Sequence, residues 1–443
     1  MPLFDIIVAV DNAMGIGVNG VLPWNLPTDL ARFKKLTGGG GEDNGAQAEE
    51  KLTAVIMGKG TWMGLPRKPL PKRKNVVLSK TGLEAEAEAD GGVEVCNSLN
   101  NALKLTNDCK QRFVIGGAGV YKEALAHRDL DKIYMTRVDT VVPCDRHFPD
   151  VEKTFTVVGE EDGGCDNGIN FKYQILQKRR RIAVDPAYPV VIVDSSYLVF
   201  NRYNATLRWY SYKTPVIDHS AITKDPEFVE AFIRHLQKDL KKFKVPHKNI
   251  IFCYDCPRRR IWRMPHHTEY KGNRVPATTF NPDIFRVFYE HIDEKGYHIA
   301  KMPTLEADDV ACLVSSSPEL AKCEIIFITN DNDYLQLLGP GRTIRNMQGI
   351  DLATRSCGDP NKDLLIKILM GDKSDNIPAV FTACGKKTAE KLADDPELLL
   401  KTLTAKGAHE QFAKNRILID MNYIPNDLVK MFRNKYNICV QGL

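Results

Sequence analysis

The stretch FKYQILQKRRRIAVDPAYPVVIVD, residues 171–194, separates two parts of the chain that differ in pattern and in charge. Its first part alternates apolar and polar residues, as a strand with one buried face does, and places Phe171 and Tyr173 on one side. A basic run and two prolines follow, and then Val190–Val193, a β-branched run that ends at Asp194. We predict that one domain ends here on an edge strand and that a second domain begins, after a short linker, on a buried strand.

The length of 443 residues fits two large domains or three of about 150 residues each. Residues 1–185 carry 25 Lys and Arg against 25 Asp and Glu, whereas residues 186–443 carry 36 against 31. A neutral first half is typical of an enzyme that acts on small molecules, and a basic second half permits a nucleic-acid partner.

The sequence offers no sign of export or of a membrane. It has no run of about 18 apolar residues, and its first strand leaves no room for a signal peptide. The 11 cysteines are irregularly spaced, which favours reduced thiols. Cys253 and Cys256 form a CxxC pair, but no second pair lies at the spacing of a zinc site. We expect a cytoplasmic protein.

Two patterns in the first half suggest a binding site. Thr28 is placed to cap a helix with Asp29 in its first turn, although spacing alone favours an exposed carboxylate there. The stretch 113–121 predicts a strand, a glycine turn and a helix start, which bring backbone N–H groups towards a phosphate. A plain strand-to-helix turn explains that pattern equally well.

Residues 3–181 resemble the dihydrofolate reductase family. The stretches that carry the resemblance are IVAV at 7–10, MGIG at 14–17, LPWNLPTDL at 22–30, VIMGKGTW at 55–62, LPKRKNVVLS at 70–79, VIGGAGVY at 114–121, IYMTRVD at 133–139 and HFP at 147–149. The resemblance implies that Asp29 is the pocket carboxylate that supports protonation of dihydrofolate, that Thr136 orients it, and that Arg73 binds the substrate's α-carboxylate. It places five apolar residues in the pocket: Ile7, Leu22, Leu30, Phe33 and Ile115.

The same resemblance implies NADPH as the cofactor. The implied contacts are Ala9, Ile16, Gly17, Lys59, Thr61, Ser79, Lys80, Gly116, Gly117, Gly119, Val120 and Tyr121, with a cis peptide between Gly116 and Gly117. Two features depart from the family: Gly60 replaces a polar or basic side chain, and residues 38–50 form a longer insertion.

The second half repeats one design, an apolar run that ends in aspartate. Val190–Asp194, Asn249–Asp255 and Glu324–Asp333 predict parallel strands of an α/β sheet, whose carboxyl ends gather ligands. Each acid alone is explained as a cap or an exposed loop residue. Together they imply cations, because two like charges ~4 Å apart cost about 4 kcal/mol at an effective dielectric of 20. Oxygen ligands suit Mg²⁺ or Mn²⁺, two of which can clamp a phosphodiester.

Residues 188–395 resemble the flap endonuclease/5′-3′ exonuclease family, especially its bacteriophage ribonuclease H type. The matching motifs are VDSS at 193–196, YD at 254–255, EYKGNR at 269–274, LEADD at 305–309, TNDNDYLQL at 329–337 and GDKSDN at 371–376. The resemblance implies nine metal carboxylates: Asp194, Asp255, Glu306, Asp308, Asp309, Asp331, Asp333, Asp372 and Asp375. It implies that Lys271 and Arg274 face the scissile phosphate and that Tyr270 stacks near the terminal base.

A helix-hairpin-helix region is expected at about 370–395, with Gly385, Lys386 and Lys387 on DNA. It lacks the family's earlier glycines, which weakens the expected approach to duplex phosphates. The run 258–263 is predicted either to bind single strands or to be an exposed basic face. Residues after about 396 are predicted to be helical.

We therefore predict an α/β protein of two domains: a mixed sheet of the dihydrofolate reductase type at 1–183, a linker at 184–189, and a parallel-sheet nuclease at 190–443. The predicted functions are reduction of dihydrofolate with NADPH and metal-dependent 5′-3′ cleavage of DNA with 5′ ends or flaps, including RNA–DNA hybrids. The alternative is a reductase fused to a weakly catalytic DNA-binding module. The phage-type motifs suggest a bacterial or phage-infected cell.

Overall fold

The computed structural model describes residues 4–38, 52–80, 92–127, 129–214, 217–273 and 278–441. The chain divides into two compact units, Met1–Arg180 and Arg181–Leu443. Within the described residues, no helix has the length and apolar character needed to cross a membrane. The insertion predicted at 38–50 falls almost wholly outside these ranges.

The described residues of the first unit form ten strands and four helices. The strands are β1 Phe4–Val10, β2 Gly15–Gly17, β3 Thr53–Gly58, β4 Arg73–Leu78, β5 Val93–Cys96, β6 Gln111–Gly116, β7 Leu130–Val138, β8 Arg146–His147, β9 Phe155–Asp166 and β10 Ile169–Lys178. The helices are α1 Pro27–Thr37, α2 Lys59–Gly64, α3 Leu99–Leu105 and α4 Ala118–Ala126.

Eight of these strands form one mixed sheet in the order β5-β4-β3-β6-β1-β7-β10-β9. The six strands from β5 to β7 are parallel, and β10 is antiparallel to both of its neighbours. The prediction that the first domain ends on an edge strand was wrong, because β10 lies between β7 and β9. An Asn167–Gly168 turn with positive φ at both residues folds β9 back along β10 and makes β9 the edge.

The start of α1 also differs from its prediction. Leu26 is the N-cap and Pro27 is the first helical residue, so Thr28 lies inside the helix. Its backbone N–H and its hydroxyl donate to the Asp166 carboxylate at 2.7 and 2.9 Å. Asp29 is in the first turn, as predicted.

The second unit contains the remaining strands and helices. The strands are β11 Arg180–Val184, β12 Val190–Asp194, β13 Ile250–Tyr254, β14 His298–Lys301, β15 Ile325–Ile328, β16 Arg342–Arg345 and β17 Tyr436–Val440. The helices are α5 Ser195–Ser211, α6 Pro226–Lys241, α7 Ile284–Glu294, α8 Ala307–Ser315, α9 Pro360–Met370, α10 Lys386–Asp394, α11 Pro396–Lys406, α12 His409–Ile419 and α13 Asn426–Lys435.

Five strands form a parallel sheet in the order β14-β13-β12-β15-β16. The central strand shows why an unbroken apolar run was needed: Val190 and Ile192 pack in one core, and Val191 and Val193 pack in the core on the other face.

The basic run beside the predicted linker is not a free hinge. Residues from Arg180 form β11, which pairs with β17, and Ile182 and Val184 are buried in the core with Ile438. The structure therefore divides the chain after Arg180, earlier than the predicted bound at 183. After about 396 the described residues form the predicted helices α11, α12 and α13, but the last described element is the strand β17.

Two helices, α9 and α10, flank a hairpin at 371–385 and pack with α11 and α12 around a small core that includes Ile366 and Leu369. Gly371 has φ +69°, and a Cβ there would lie 2.4 Å from the carbonyl oxygens of Ile377 and Pro378. Only glycine fits this turn. Helix α9 begins at Pro360, before the predicted start of the helix-hairpin-helix region at about 370.

Candidate active sites

The residues predicted to bind a cofactor in the first unit gather at one edge of the sheet. Lys59 and Thr61 follow β3, and Ser79 and Lys80 follow β4, while the Gly116–Gly117 pair ends β6. These strands are parallel, and their last residues lie side by side: Gly58 pairs with Leu78, and Met57 with Gly116. Parallel strand ends are where open α/β sheets bind ligands.

The glycine pair after β6 brings backbone close to Thr61. The Gly116–Gly117 peptide is cis, and Gly116 has φ +135°. A Cβ on Gly116 would lie 3.0 Å from the Thr61 hydroxyl, so the site excludes larger residues. At Gly119 an added Cβ would meet nothing within 4 Å, which leaves space over the start of α4.

Tyr121 and Val120 fix α4 on the sheet. The Tyr121 hydroxyl donates to the Ile7 carbonyl at 2.8 Å. Val120 approaches Gly58, where an added Cβ would lie 3.1 Å from its side chain. Both residues therefore support the glycine turn from within the unit.

Asp29 is not the freely exposed carboxylate that its spacing alone suggested. It is partly buried, and the Thr136 hydroxyl from β7 donates to its Oδ1 at 2.6 Å. Burial raises the pKa of Asp29, while the bond from Thr136 and the charge of Arg32 oppose that rise. A poised carboxyl of this kind can bind an amidine-like edge and support proton transfer.

Three of the predicted pocket residues, Ile7, Phe33 and Ile115, belong to one apolar cluster beneath α1. Leu22 and Leu30 are 55% and 42% exposed and lie outside that cluster. Apolar residues that line an open binding cleft are exposed in this way when no ligand covers them.

Arg73 lies beside the end of α1. It stacks over Phe33, with its guanidinium carbon 5.7 Å from the ring centre, and donates to the Lys34 carbonyl at 3.4 Å. Burial lowers its pKa, and its Nε has no hydrogen-bond partner within the described ranges. An unpaired buried N–H suits a carboxylate ligand.

Asp11 was missed by sequence reasoning. It is fully buried and accepts hydrogen bonds from the N–H groups of Ala13, Gly15 and Val142 at 2.9, 2.7 and 2.9 Å. It therefore shapes the loop between β1, which contains Ala9, and β2, which contains Ile16 and Gly17. No local motif signals this role, because one partner is 131 residues away.

The carboxyl ends of the second sheet bring together acids from distant segments. Asp194 ends β12, and it accepts hydrogen bonds from the Tyr197 N–H and the Thr329 hydroxyl, both at 3.0 Å. Burial and the neighbouring Asp255 raise the pKa of Asp194. Asp255, which follows β13, accepts from the Ala307 N–H at 2.9 Å and so contacts the start of α8.

Three more acids lie at that helix start. Carboxylate oxygens of Glu306, Asp308 and Asp309 lie within 4.8 Å of one another. Burial raises the pKa of Asp308 well above its usual value, and the negative charges of Asp309 and Glu306 raise it further. Like charges this close, and this far from water, fit a bound cation.

Asp309 already has a buried partner, which the sequence did not suggest. The Arg263 guanidinium forms a bidentate pair with it at 2.7 Å through both nitrogens, and the Trp262 indole N–H donates to it at 3.0 Å. Arg263 is 2% exposed. Neither prediction for the run 258–263 fits its end, because Trp262 and Arg263 point inward rather than to solvent.

A second acidic group contains Asp333, Asp372 and Asp375, whose oxygens also lie within 4.8 Å of one another. Lys367 from α9, another residue the sequence reasoning missed, bridges Asp333 and Asp372; its ammonium is 2.9 Å from the latter. Although burial opposes it, Lys367 lowers the pKa of Asp372. Asp331 caps the following turn by accepting from the Asp333 N–H at 2.9 Å.

Lys271 and Tyr270 connect the two acidic groups. Lys271 pairs with Glu306 and lies 3.5 Å from Asp375, and the Tyr270 hydroxyl donates to the same two acids at 2.9 and 3.2 Å. Tyr270 is only 3% exposed. The predicted stacking of Tyr270 on a terminal base therefore does not fit this arrangement, because its ring is packed in the core. Arg274 lies outside the residues that the structure describes.

The predicted DNA contacts of the hairpin region are at the surface. Gly385 is the N-cap of α10, and Lys386 and Lys387 occupy its first turn, all exposed. An added Cβ at Gly385 would meet nothing within 4 Å, so a phosphate can approach the backbone there.

Comparison with known proteins identifies the first unit. A family model described as dihydrofolate reductase matches residues 3–180. The dihydrofolate reductase of Drosophila melanogaster is 35% identical over 188 residues, which cover 40% of this chain and 99% of that protein. The chain belongs to the dihydrofolate reductase family. A viral dihydrofolate reductase of Saimiriine herpesvirus 2 is 35% identical over 40% of this chain and 85% of its own length.

This dihydrofolate reductase also carries a nuclease domain. A model described as the 5′-3′ exonuclease N-terminal resolvase-like domain matches residues 189–358. Fusion of a reductase domain to another enzyme has a parallel: the bifunctional dihydrofolate reductase-thymidylate synthase 2 of Arabidopsis thaliana is 36% identical over 38% of this chain and 30% of its own length. These matches imply NADPH and dihydrofolate for the first domain, and DNA and divalent metal ions for the second. The expected bacterial or phage host stays a prediction.

Proposed function

We propose that Asp29 is the carboxyl group that binds and helps to protonate dihydrofolate in the first domain. Its hydrogen bond from Thr136 fixes one oxygen, and its partial burial favours a paired, bidentate contact with a cationic substrate edge. Arg73 binds the substrate's α-carboxylate through its planar fork. The apolar residues that complete the cleft are Ile7, Leu22, Leu30, Phe33 and Ile115.

NADPH supplies the hydride when it is bound. The residues proposed to hold it are Ala9, Ile16, Gly17, Lys59, Thr61, Ser79, Lys80, Gly116, Gly117, Gly119, Val120 and Tyr121. The glycine turn at the end of β6 supports this assignment, since its backbone lies close to Thr61 and an added Cβ at Gly119 would meet nothing within 4 Å. The lysines offer the positive charge that a 2′-phosphate requires.

The reductase assignment is tested by NADPH oxidation in the presence of dihydrofolate. Asp29→Ala removes the proposed carboxyl and should abolish turnover, while an exposed acid of the same domain, changed as Asp150→Ala, should leave it unchanged. Retained turnover in Asp29→Ala would show that the acid is misassigned.

For the second domain we propose hydrolysis of DNA with 5′ ends or flaps, including RNA-primed duplexes, with Mg²⁺ or Mn²⁺. The observation that supports it is that carboxylates at or just after the ends of β12, β13, β15 and α9 gather with those at the start of α8. The proposed ligands are Asp194, Asp255, Glu306, Asp308, Asp331, Asp333, Asp372 and Asp375. Asp309 adds a negative charge to the cluster. Its ion pair with Arg263 fixes the start of α8.

Two cationic side chains, those of Lys271 and Arg274, are proposed to contact the scissile phosphate. Lys271 is held between Glu306 and Asp375, next to both acidic groups. The metal ions would supply Lewis acidity when bound, and the chain's own acids would hold them in position. Gly385, Lys386 and Lys387 are proposed to contact the duplex backbone.

Cleavage of labelled flap, nicked and RNA-primed duplexes, measured with and without Mg²⁺, tests the nuclease. Asp331→Asn/Asp333→Asn should abolish metal-dependent cleavage, whereas Asp427→Asn, an exposed acid at the start of α13, should not change it. If the unaltered protein binds these duplexes but cuts none of them, the second domain is a DNA-binding module instead.

A further inference from the structure

A pocket of about 580 Å³ opens on the reductase domain away from the proposed active site. Its lining comes from α4, from the loop before β9, and from the end of β10, and consists of Lys122, Leu125, Ala126, Pro149, Asp150, Val151, Lys153, Thr154, Phe155, Lys178 and Arg179. Neither the reductase nor the nuclease assignment uses any of these residues.

The sheet topology places this pocket at the opposite edge from the cofactor residues. β7 is parallel to β1, and β10 is antiparallel to β7, so the end of β10 lies where the parallel strands begin. Leu176, close to Lys178, pairs with Ile133 near the start of β7. The cofactor residues lie where the parallel strands end, and a ligand in one site therefore does not occupy the other.

The pocket is positively charged. Four cationic side chains line it against one carboxylate, Asp150, which accepts a hydrogen bond from the Glu152 N–H at 2.9 Å. Within the described part of the chain, the ammonium groups of Lys122 and Lys153 make no ion pair. Burial lowers the pKa of Lys178, and the positive charge of Arg180 lowers it further. Two lysines without ion pairs among the described residues, beside the cationic Lys178 and Arg179, favour an anionic ligand.

The floor of the pocket is apolar and held by hydrogen bonds. Val151 and Phe155 are each 3% exposed, and the Phe155 N–H donates to the Val151 carbonyl at 2.7 Å. Arg179 donates from Nε to the Phe155 carbonyl at 3.3 Å, and Lys178 donates to the His127 carbonyl at 3.1 Å. Apolar walls beside fixed cations suit a molecule with a phosphate at one end and an apolar body at the other, in a volume usual for small ligands.

We propose that this pocket binds an organic phosphate monoester, with the phosphate on the cations and the apolar or aromatic body against Leu125, Ala126 and Pro149. A nucleotide has this chemistry. The proposal does not depend on the assigned activities, because the site shares no residue with either active site.

The test uses adenosine 5′-monophosphate as the probe and calorimetry on the full chain, with saturating NADPH in the reductase site and with a chelator present. We expect saturable binding that weakens at least 10-fold in Lys122→Glu/Lys153→Glu, whose two sites are exposed. Lys104→Glu, an exposed lysine on α3, should bind within two-fold of the unaltered protein. Adenosine should bind at least 10-fold more weakly than its monophosphate.

Several results would overturn the proposal. They are the absence of saturable binding, equal binding by Lys122→Glu/Lys153→Glu, and pyrophosphate binding as tightly as the nucleotide, which would remove the role of the apolar wall. Binding only of a single-stranded oligonucleotide would make the pocket part of a nucleic-acid surface instead. Unchanged reductase turnover and thermal unfolding of the double variant exclude misfolding as the cause of lost binding.

Discussion

Replacement of Arg263 by methionine should destabilise the nuclease domain severely. Arg263 is 2% exposed, and its loss leaves Asp309 buried without its bidentate partner and removes one partner of Glu306. Removing one member of a buried ion pair typically costs about 3–5 kcal/mol, because an uncompensated charge remains. We expect a loss of that size in the free energy of unfolding, measured by urea denaturation.

The double variant Arg263→Met/Asp309→Asn tests the cause. The asparagine removes the charge but keeps an oxygen for the Trp262 indole N–H, so at least half of the lost stability should return. Arg286→Met breaks an exposed pair with Glu290 and should cost less than about 0.5 kcal/mol. A loss below about 1 kcal/mol in Arg263→Met, or a double variant as unstable as the single one, would refute the reasoning.

Three further predictions concern the reductase domain. Burial raises the pKa of Asp5 from 3.8 to about 6, so the free energy of unfolding should fall as the pH rises from about 4 to about 6, and the full cost of the buried charge is present above pH 6. Urea denaturation should show Asp5→Asn more stable by on the order of 3 kcal/mol at pH 8 and little changed at pH 4. Thr136→Val removes a bond that lowers the pKa of Asp29, so the acidic limb of the pH profile of kcat/KM should move to higher pH. Gly116→Ala should cost about 1–3 kcal/mol in thermal unfolding, because φ is +135° there and Thr61 is in the way, whereas Gly119→Ala should not destabilise. If a variant shows the same stability or the same pH profile as the unaltered protein, the role given to the altered residue is wrong.

The sequence predicted the parts of the fold that depend on local pattern. β1, β12, β13 and β15 lie where apolar β-branched runs placed them, because a strand buried on both faces needs an unbroken apolar run. The order of strands in a sheet is not local. The 171–178 strand was therefore assigned to an edge, although the hairpin before it provides the edge.

The candidate sites show the same division. The acids that follow strand ends were found from sequence, because parallel strands bring their carboxyl ends to one side. Arg263, Lys367 and Asp11 were not, since each acts through partners that are distant in sequence. Tyr270 lies within a recognisable motif, but its burial depends on packing that no motif records.

The central claim is that one chain carries two separate catalysts, and reciprocal assays test it most directly. NADPH oxidation with dihydrofolate and Mg²⁺-dependent cleavage of a 5′ flap are both measured on Asp29→Ala and on Asp331→Asn/Asp333→Asn. We predict that each variant loses one activity and keeps the other within two-fold of the unaltered protein. Loss of both activities in either variant, or metal-dependent cleavage that survives Asp331→Asn/Asp333→Asn, would contradict the account.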